Sequence, residues 1–276
     1  MKTILAPTDF STVSNCAVEY AAELAKYASA KLILFNAYQI HAVSPDGTLA
    51  VPLQEIQEES LKQLIKSTEK LRKKYGNSLK IEYKQACGFP VEEINLAATS
   101  ADADIVVMGM QGGGYLSEKI IGSVTTSLIK KSNRPVLAIH QGTKFTPLKR
   151  IAFACDYQHL NYPNALKPLN EIVRLFHSEV LIVNVVQELE EVPTVTKAVE
   201  GIKLNRALEG MKHSFHYTVN NDITDGLGDF IKAFNVDLVA MVPHSHNVLE
   251  TLLKKSNTKH MAFQIAKPLL AIHDIN

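Results

Sequence analysis

Residues 108–140 read MGMQGGGYLSEKIIGSVTTSLIKKSNRPVLAIH, and this stretch decides the fold. The run from Asp104 to Met108 predicts a buried strand that leads into the stretch. A glycine-rich loop follows, and a helix is expected to begin at Gly122 and Ser123. The stretch leaves through a second apolar run, Pro135 to Ile139, which predicts another strand. The sequence therefore predicts the order strand, glycine loop, helix, strand.

This order is typical of an anion-binding site. Glycines at 109 and 112 let backbone N–H groups approach a phosphate closely, and the first N–H groups of a helix at Ser123 are unpaired and point at the anion. The helix dipole adds favourable charge. The stretch is not a P-loop, because no Gly-Lys-Ser/Thr follows the glycines, and Ser117 stands where a dinucleotide fingerprint needs its third glycine.

The spacing of these glycines is G-x2-G-x9-G-S/T, carried by Gly109, Gly112, Gly122 and Ser123. It resembles the ATP-binding branch of the universal stress protein family. The following residues, from Val124 through the lysines to Pro135-Val136-Leu137, strengthen that resemblance. The family implies an adenine nucleotide alpha hydrolase-like fold with a five-stranded parallel sheet in the order 3-2-1-4-5.

Composition excludes several classes of protein. The net charge is +1, so no broad basic field predicts nucleic-acid binding. No apolar stretch is long enough to span a membrane, and Pro7 to Asp9 interrupt the only N-terminal apolar run, so neither a membrane protein nor a signal peptide is predicted. The three distant cysteines match no zinc spacing or disulfide framework, and we expect free thiols and a cytoplasmic location.

The chain repeats itself. ILAPTDF, at 4–10, recurs as IAFACDY, at 151–157, which places Asp9 and Asp156 147 residues apart. The strands at 105–108 and 134–140 recur at 238–241 and 267–273, both 133 residues later. The sequence therefore predicts two copies of one α/β unit, residues 1–141 and 149–276, joined by a polar stretch from Gln141 to Lys149.

Each copy alternates continuous apolar strands with helices, which predicts α/β domains with doubly wound parallel sheets. The predicted strands are 3–6, 31–37, 79–86, 104–108 and 135–139 in the first copy, and 150–154, 179–186, 213–219, 237–242 and 268–273 in the second. Predicted helices include one capped by Ser11 or Thr12, others within 51–75 and 91–99, and in the second copy 161–176, 194–211 and 224–234. Ligands of such sheets lie at the strands' carboxyl ends, where the order reverses.

The candidate nucleotide site of the first copy combines residues from both ends of this crevice. Gly109 and Gly112 would lie against ribose and phosphate, while the N–H groups of Ser123, Val124 and Thr125 and two of their hydroxyls would bind the phosphates. Asp9 either accepts a hydrogen bond from the adenosine end or caps a helix or Asx turn, and both roles are compatible. The resemblance further implies that Pro7, Ala37 and Met108 contact the adenine. Gln111 replaces a basic residue of some relatives, which implies weaker binding of a full triphosphate.

The second copy departs from the pattern at its glycines. Val242, Ser245 and Lys255 stand at the positions of Gly109, Gly112 and Gly122, although Ser256 and Asp156 are retained. Side chains at these positions should prevent the backbone from approaching a phosphate closely, and Pro243 should stiffen the loop. We therefore expect that this copy does not bind nucleotide in the same way.

Histidines gather in the second copy. His244 and His246, with His213 or His216, are one hypothesis for a metal site. No cysteine or acidic ligand completes the spacing, so a solvated loop and surface strand is the preferred interpretation.

The sequence contains no strong catalytic constellation such as G-x-S-x-G or HExxH. We predict a stress-response regulator that binds ATP, with or without Mg²⁺, and does not catalyse a reaction. AMP and ADP stay open as alternative ligands. Slow ATP hydrolysis or autophosphorylation, and an interaction module without nucleotide, stay open as alternatives. The resemblance implies intramolecular pairing of the two copies through their last strands as a pseudo-dimer, with homodimerisation and a protein partner also open.

Overall fold

A computed structural model describes residues 1–39, 52–110, 123–157, 165–186, 195–243 and 267–273. The described chain falls into two compact units, one ending at Phe145 and the other beginning at Thr146. That division lies inside the polar stretch that follows the fifth strand. Assigning residues 149–276 to a degenerate copy of the same domain stays a prediction.

The first unit alternates strands and helices along the chain. Its elements are β1 (Thr3–Pro7), α1 (Thr12–Tyr27), β2 (Lys31–Tyr38), α2 (Leu53–Tyr75), β3 (Ile81–Cys87), α3 (Pro90–Ser100), β4 (Ile105–Met110), α4 (Ser123–Lys131) and β5 (Val136–His140). The strands pair in the order β3-β2-β1-β4-β5, and all the pairings described are parallel. This confirms the predicted α/β fold class and strand order.

The core of the first unit is the sheet itself, because its central strands are covered on both faces, whereas the edge strand β3 is largely exposed. β1 is buried along its whole length, and Leu32 to Asn36 are buried in β2. Helix α1 covers the sheet with the apolar face predicted for it, in which Ala17, Tyr20, Ala21 and Leu24 are buried. Continuous burial explains why these strands read as uninterrupted apolar runs.

Helix α2 has a strongly charged sequence and still packs one face against the core. Only a narrow stripe spaced by three or four residues faces the core: Ser60, Leu64, Thr68, Leu71 and Tyr75. The remaining face carries charges, and Lys70 and Lys74 form ion pairs with Glu19 of α1. These ion pairs are largely exposed and add little stability. The buried stripe therefore determines where the helix packs.

The second unit repeats the arrangement with β6 (Arg150–Ala154), α5 (Lys167–Phe176), β7 (Glu179–Val186), α6 (Val195–Ala207), β8 (His213–Val219), α7 (Ile223–Ala233), β9 (Leu238–Met241) and β10 (Leu269–Ala271). Its strand order is β8-β7-β6-β9-β10, which is 3-2-1-4-5 counted within the unit. Of the described residues, β10 keeps only three in the ladder, fewer than the six predicted from 268–273. The fourth helix of the second copy, predicted within 247–266, lies outside the described residues.

Local devices recur in both units at equivalent positions. The carboxylate of Asp104, just before β4, accepts hydrogen bonds from the backbone N–H groups of Lys2 and Thr3. Asp237, just before β9, accepts from Lys149 and Arg150, both at 2.9 Å. Left-handed backbone conformations also recur in equivalent pairs: Phe10 and Tyr157, Ser29 and His177, and Asp102 and Asn235. These pairs support the internal repeat independently of the apolar runs.

Predicted and observed boundaries differ by a few residues. Strand β4 continues two residues past the predicted end at Met108, because Gly109 and Met110 still pair with β5. Strand β3 begins at Ile81 rather than Leu79, since a 3-10 turn at Gly76–Ser78 intervenes after α2. Helix α1 ends at Tyr27, and Ala28 is its C-cap residue.

The three cysteines are free and differ in exposure. Cys155 is buried, Cys16 is half-buried and Cys87 is exposed. Within the described ranges, no helix has the length and apolar character needed to cross a bilayer. The cytoplasmic location stays a prediction.

Candidate functional site

The candidate site is built at the carboxyl ends of two adjacent strands. β1 and β4 pair directly, with Ile4 opposite Ile105 and Leu5 opposite Val106. The loop carrying Asp9 follows β1, and Gly109 lies near the end of β4. The loop and the glycine therefore emerge at the same edge of the sheet, as the strand order predicts.

The loop after β1 is held by local hydrogen bonds. Ser11 caps α1, its side-chain oxygen accepting from Ser14 N at 3.2 Å. The carboxylate of Asp9 accepts from Ser11 N at 3.0 Å, which is an Asx turn. Phe10 lies between them with φ 64°, a left-handed conformation that is unfavourable for an aromatic residue. Asp9 therefore shapes the turn, while Ser11 rather than Asp9 caps the helix.

Asp9 is nevertheless an exposed carboxylate with acceptor capacity left. Partial burial acts to raise its pKa, but hydrogen bonds from Ser11 and Ser14 outweigh that effect, so the pKa of Asp9 lies below its ordinary value. The side chain is ionised at neutral pH. It can accept hydrogen bonds from a hydroxyl or amine of a ligand, and it disfavours a phosphate beside it.

Gly109 is required by packing as well as by any ligand. A Cβ at this position would lie 2.7 Å from the carbonyl oxygen of Val13 and 2.8 Å from a methyl carbon of the same residue. The first turn of α1 thus lies directly against the end of β4. The prediction from sequence gave this glycine only a ligand-approach role, because a close contact between residues 96 positions apart leaves no local signal.

The start of α4 provides the phosphate side of the candidate site. Ser123 is exposed, Val124 is partly exposed and Thr125 is buried, all in the first turn. The Thr125 hydroxyl donates to the Gly109 carbonyl at 2.9 Å, so its proton is already used within the protein. The donors that this turn can offer an anion are therefore its backbone N–H groups and the Ser123 hydroxyl.

The remaining predicted site residues divide into two groups. Pro7 is buried at the end of β1, Met108 is buried within β4, and Ala37 lies near the end of β2 and is partly exposed. Gln111, Gly112 and Gly122 lie outside the described residues, so their part in the site stays a prediction.

Several polar residues of the site were missed from sequence. Thr8 and Ser14 are buried, and their hydroxyls lie 3.1 Å apart beneath the Asp9 loop. Thr8 Oγ1 also accepts from Phe10 N at 3.0 Å. A signal existed for Asn36, which is an amide in the middle of the apolar run KLILFNAY.

The equivalent region of the second unit keeps the turn and changes the chemistry. Cys155 replaces Thr8, and its sulfur accepts from Tyr157 N at 3.4 Å. Burial is the main cause that raises the pKa of the Cys155 thiol to about 12, so it is a neutral, inert thiol. Val242, at the position of Gly109, is buried. The expectation that this unit binds no nucleotide in the same way stays a prediction.

Two described histidines of the hypothetical metal site make ordinary hydrogen bonds. His213 hydrogen-bonds to Asn205 at 2.9 Å, and His216 to Ser214 at 2.8 Å. The described part of the chain contains no group of three His, Cys, Asp or Glu side chains that could hold a metal ion. His244 and His246 lie outside it.

Comparison with known proteins gives a consistent family. The universal stress protein family model matches residues 1–140. A universal stress protein from Methanocaldococcus jannaschii, MJ0577, is 29% identical over 152 residues, covering 50% of this chain and 94% of the relative.

Two solved structures illustrate the match. A universal stress protein from Archaeoglobus fulgidus covers 99% of this chain and 98% of its own at 18% identity, with a TM-score of 0.74, which supports the fold. A universal stress protein in complex with cAMP is 25% identical and covers 51% of this chain and 98% of its own, with a TM-score of 0.40. With a family model that spans half of its length, this chain belongs to the universal stress protein family.

Proposed function

We propose that the first unit binds ATP or a related adenine nucleotide at the carboxyl ends of β1 and β4. The observation that carries this proposal is the adjacency of the two strands, which brings the Asp9 loop and Gly109 to one edge of the sheet. The chain that follows β4 leads to the N-terminus of α4, where unpaired N–H groups favour an anion.

Charge decides the orientation of the nucleotide in this proposal. The carboxylate of Asp9 is ionised and repels phosphate, so it belongs at the adenosine end, where ribose hydroxyls and the adenine amine are donors. The first turn of α4 carries no acidic residue and belongs at the phosphate end. Pro7, Ala37 and Met108 complete the adenine side, and Gly112 and Gly122 the phosphate side.

The same charge argues against efficient hydrolysis. A general base works best when its pKa lies near the operating pH, whereas the pKa of Asp9 is lowered further below that range. We therefore propose a regulator rather than an enzyme, in which nucleotide occupancy orders the loop after β4 and changes the surface offered to a protein partner. Pairing of the two units through their last strands, and homodimerisation, remain part of the hypothesis.

The first test identifies any nucleotide released when the purified protein is heat-denatured, together with thermal shifts on adding Mg-ATP, AMP and cAMP. A ligand at a hundred times its dissociation constant should stabilise the fold by about 2.7 kcal/mol. Asp9→Ala should reduce the shift, and Gly122→Val should abolish it. Asp156→Ala is the matched control in the second unit and should leave the shift unchanged.

Contrary results would separate the alternatives. An absence of both released nucleotide and thermal shift would favour an interaction module that has lost nucleotide binding. Steady turnover of ATP that disappears in Asp9→Ala would favour the enzyme alternative instead.

A further inference from the structure

A buried hydrogen-bond chain supports the Asp9 loop from below. Asn36, buried in β2, donates from Nδ2 to the carbonyl oxygen of Thr8 at 2.6 Å. The N–H of Thr8 donates in turn to the carbonyl of Phe35 at 2.8 Å. The N–H and the carbonyl of Thr8 therefore both hydrogen-bond to β2. The bond from the Asn36 side chain is made to the residue immediately before Asp9.

Ser60 of α2 determines how the Asn36 amide is oriented. Its hydroxyl donates to Asn36 Oδ1 at 2.6 Å and lies 3.2 Å from the side-chain amide of Gln85. Because a serine hydroxyl has one proton, the shorter contact to Asn36 Oδ1 uses it, and the contact to Gln85 Oε1 at 3.2 Å is secondary. With Oδ1 occupied by Ser60, the Asn36 nitrogen is fixed toward Thr8.

The loop needs such support because its conformation is costly. Phe10 adopts φ 64°, and a non-glycine residue in this region persists only where the surroundings enforce it. Without the bond from Asn36, the Thr8 carbonyl would be buried and unsatisfied, and the turn would relax toward other conformations. A relaxed loop presents Asp9 correctly for only a fraction of the time, which weakens ligand binding by that fraction.

We infer that Asn36, oriented by Ser60, is a positioning residue that holds the Asp9 loop in its ligand-binding conformation. The inference rests on the proposed function for the identity of the ligand. It also makes α2 part of the site's support, although that helix contributes no predicted ligand contact.

The second unit supplies a matched control for this inference. Asn184, the equivalent residue of β7, is buried and donates to the carbonyl of Cys155 at 2.7 Å. Asn184→Ala should therefore disturb its own unit about as much as Asn36→Ala disturbs the first. Asn184 and the Asp9 loop belong to different units, so only Asn36→Ala should change the candidate nucleotide site.

The experiment measures ATP affinity by calorimetry and local order by hydrogen exchange in the full chain. We expect Asn36→Ala to weaken ATP about tenfold, which corresponds to about 1.4 kcal/mol, while Asn184→Ala leaves the affinity unchanged. Amide exchange at Phe10 and Ser11 should accelerate in Asn36→Ala. Ser60→Ala keeps the Asn36 amide and should produce a weaker effect in the same direction, which guards against poor folding of the first variant.

The outcomes separate this inference from the proposed function. Equal losses of melting temperature in both asparagine variants, with unchanged ATP affinity and unchanged exchange at Phe10, would overturn the positioning role. A wild-type protein that binds none of ATP, AMP and cAMP would refute the proposed function instead, and the exchange rates at Phe10 and Ser11 would then decide alone whether Asn36 positions the loop.

Discussion

The two units keep the same scaffold and differ where β4 and β9 end. Both anchor the loop after the first strand with a buried asparagine, Asn36 or Asn184. At the end of the fourth strand, however, the first unit has Gly109 packed against Val13, and the second has the buried side chain of Val242. The hydrogen bonds that maintain the backbone are thus preserved where the residue at the proposed ligand approach differs.

The largest expected effect tests the contrast at Gly109. Gly109→Ala places a methyl group 2.7 Å from a backbone oxygen that cannot move freely, and overpacking of this kind should cost about 3 kcal/mol of unfolding free energy. Gly201→Ala is the control in α6 of the second unit. Its added Cβ meets only Tyr157, at 3.9 Å, and should be neutral or stabilising by up to about 1 kcal/mol.

Urea unfolding, with hydrogen exchange to assign the loss to one unit, measures both variants. Equal stability of Gly109→Ala and wild type would show that α1 can withdraw from β4. The close approach of helix and strand would then not explain the glycine.

The next effect concerns pH and the end of β5. Burial lowers the pKa of His140 to about 4, below its ordinary value of 6.5. Between these values the unfolded chain binds a proton that the folded chain does not, so stability is complete above pH 6.5 and falls on acidification. We expect a loss of about 2 kcal/mol between pH 7 and pH 5 from this group.

Unfolding free energies of wild type and His140→Asn at the two pH values test this assignment. The variant lacks the titrating ring and should lose correspondingly less on acidification. An identical pH dependence in both proteins would mean that His140 is protonated in the folded state at pH 5.

Asp104 and Asp237 should show equal effects, because they perform the same task in the two units. Each carboxylate accepts two backbone N–H groups at the start of the first strand, and each replacement by alanine should cost about 2 kcal/mol. Hydrogen exchange at Thr3 and Arg150 locates each loss. An effect confined to one variant would contradict the equivalence of the two positions.

The smallest effect compares two left-handed residues. Ser29 has φ 52° and Asn235 has φ 48°. Glycine removes the strain at either site, but asparagine tolerates this conformation better than serine, so Ser29→Gly should stabilise by about 1 kcal/mol and Asn235→Gly by less. Melting temperatures rank the two variants, and a destabilised Ser29→Gly would show that unfolded-chain entropy outweighs the strain.

The fold was predictable because its central strands are buried on both faces. Continuous apolar runs marked the strands, and the recurrence of Asp9 as Asp156 indicated an internal repeat. Boundaries were less predictable where a glycine follows the apolar run. Strand β4 continues through Gly109, because the backbone of that residue still pairs with β5. An apolar run in the sequence indicates side-chain burial, whereas the end of a strand depends on backbone pairing.

The candidate site was predictable in its backbone parts and not in its side-chain network. The glycine spacing and Asp9 were evident because they follow apolar runs directly in the sequence. The hydroxyl of Thr125, in contrast, bonds to Gly109, and Ser60 reaches Asn36 from a different helix. Such bonds join residues 16 and 24 positions apart, so only the folded chain reveals them.

The unequal exposure of the three thiols has a practical consequence. The chain contains no tryptophan, so it has no strong intrinsic fluorophore. Cys87 is exposed at the end of β3, whereas Cys155 is buried and Cys16 is half-buried. A maleimide dye should therefore attach first at Cys87, giving a single optical reporter on the first unit without mutation.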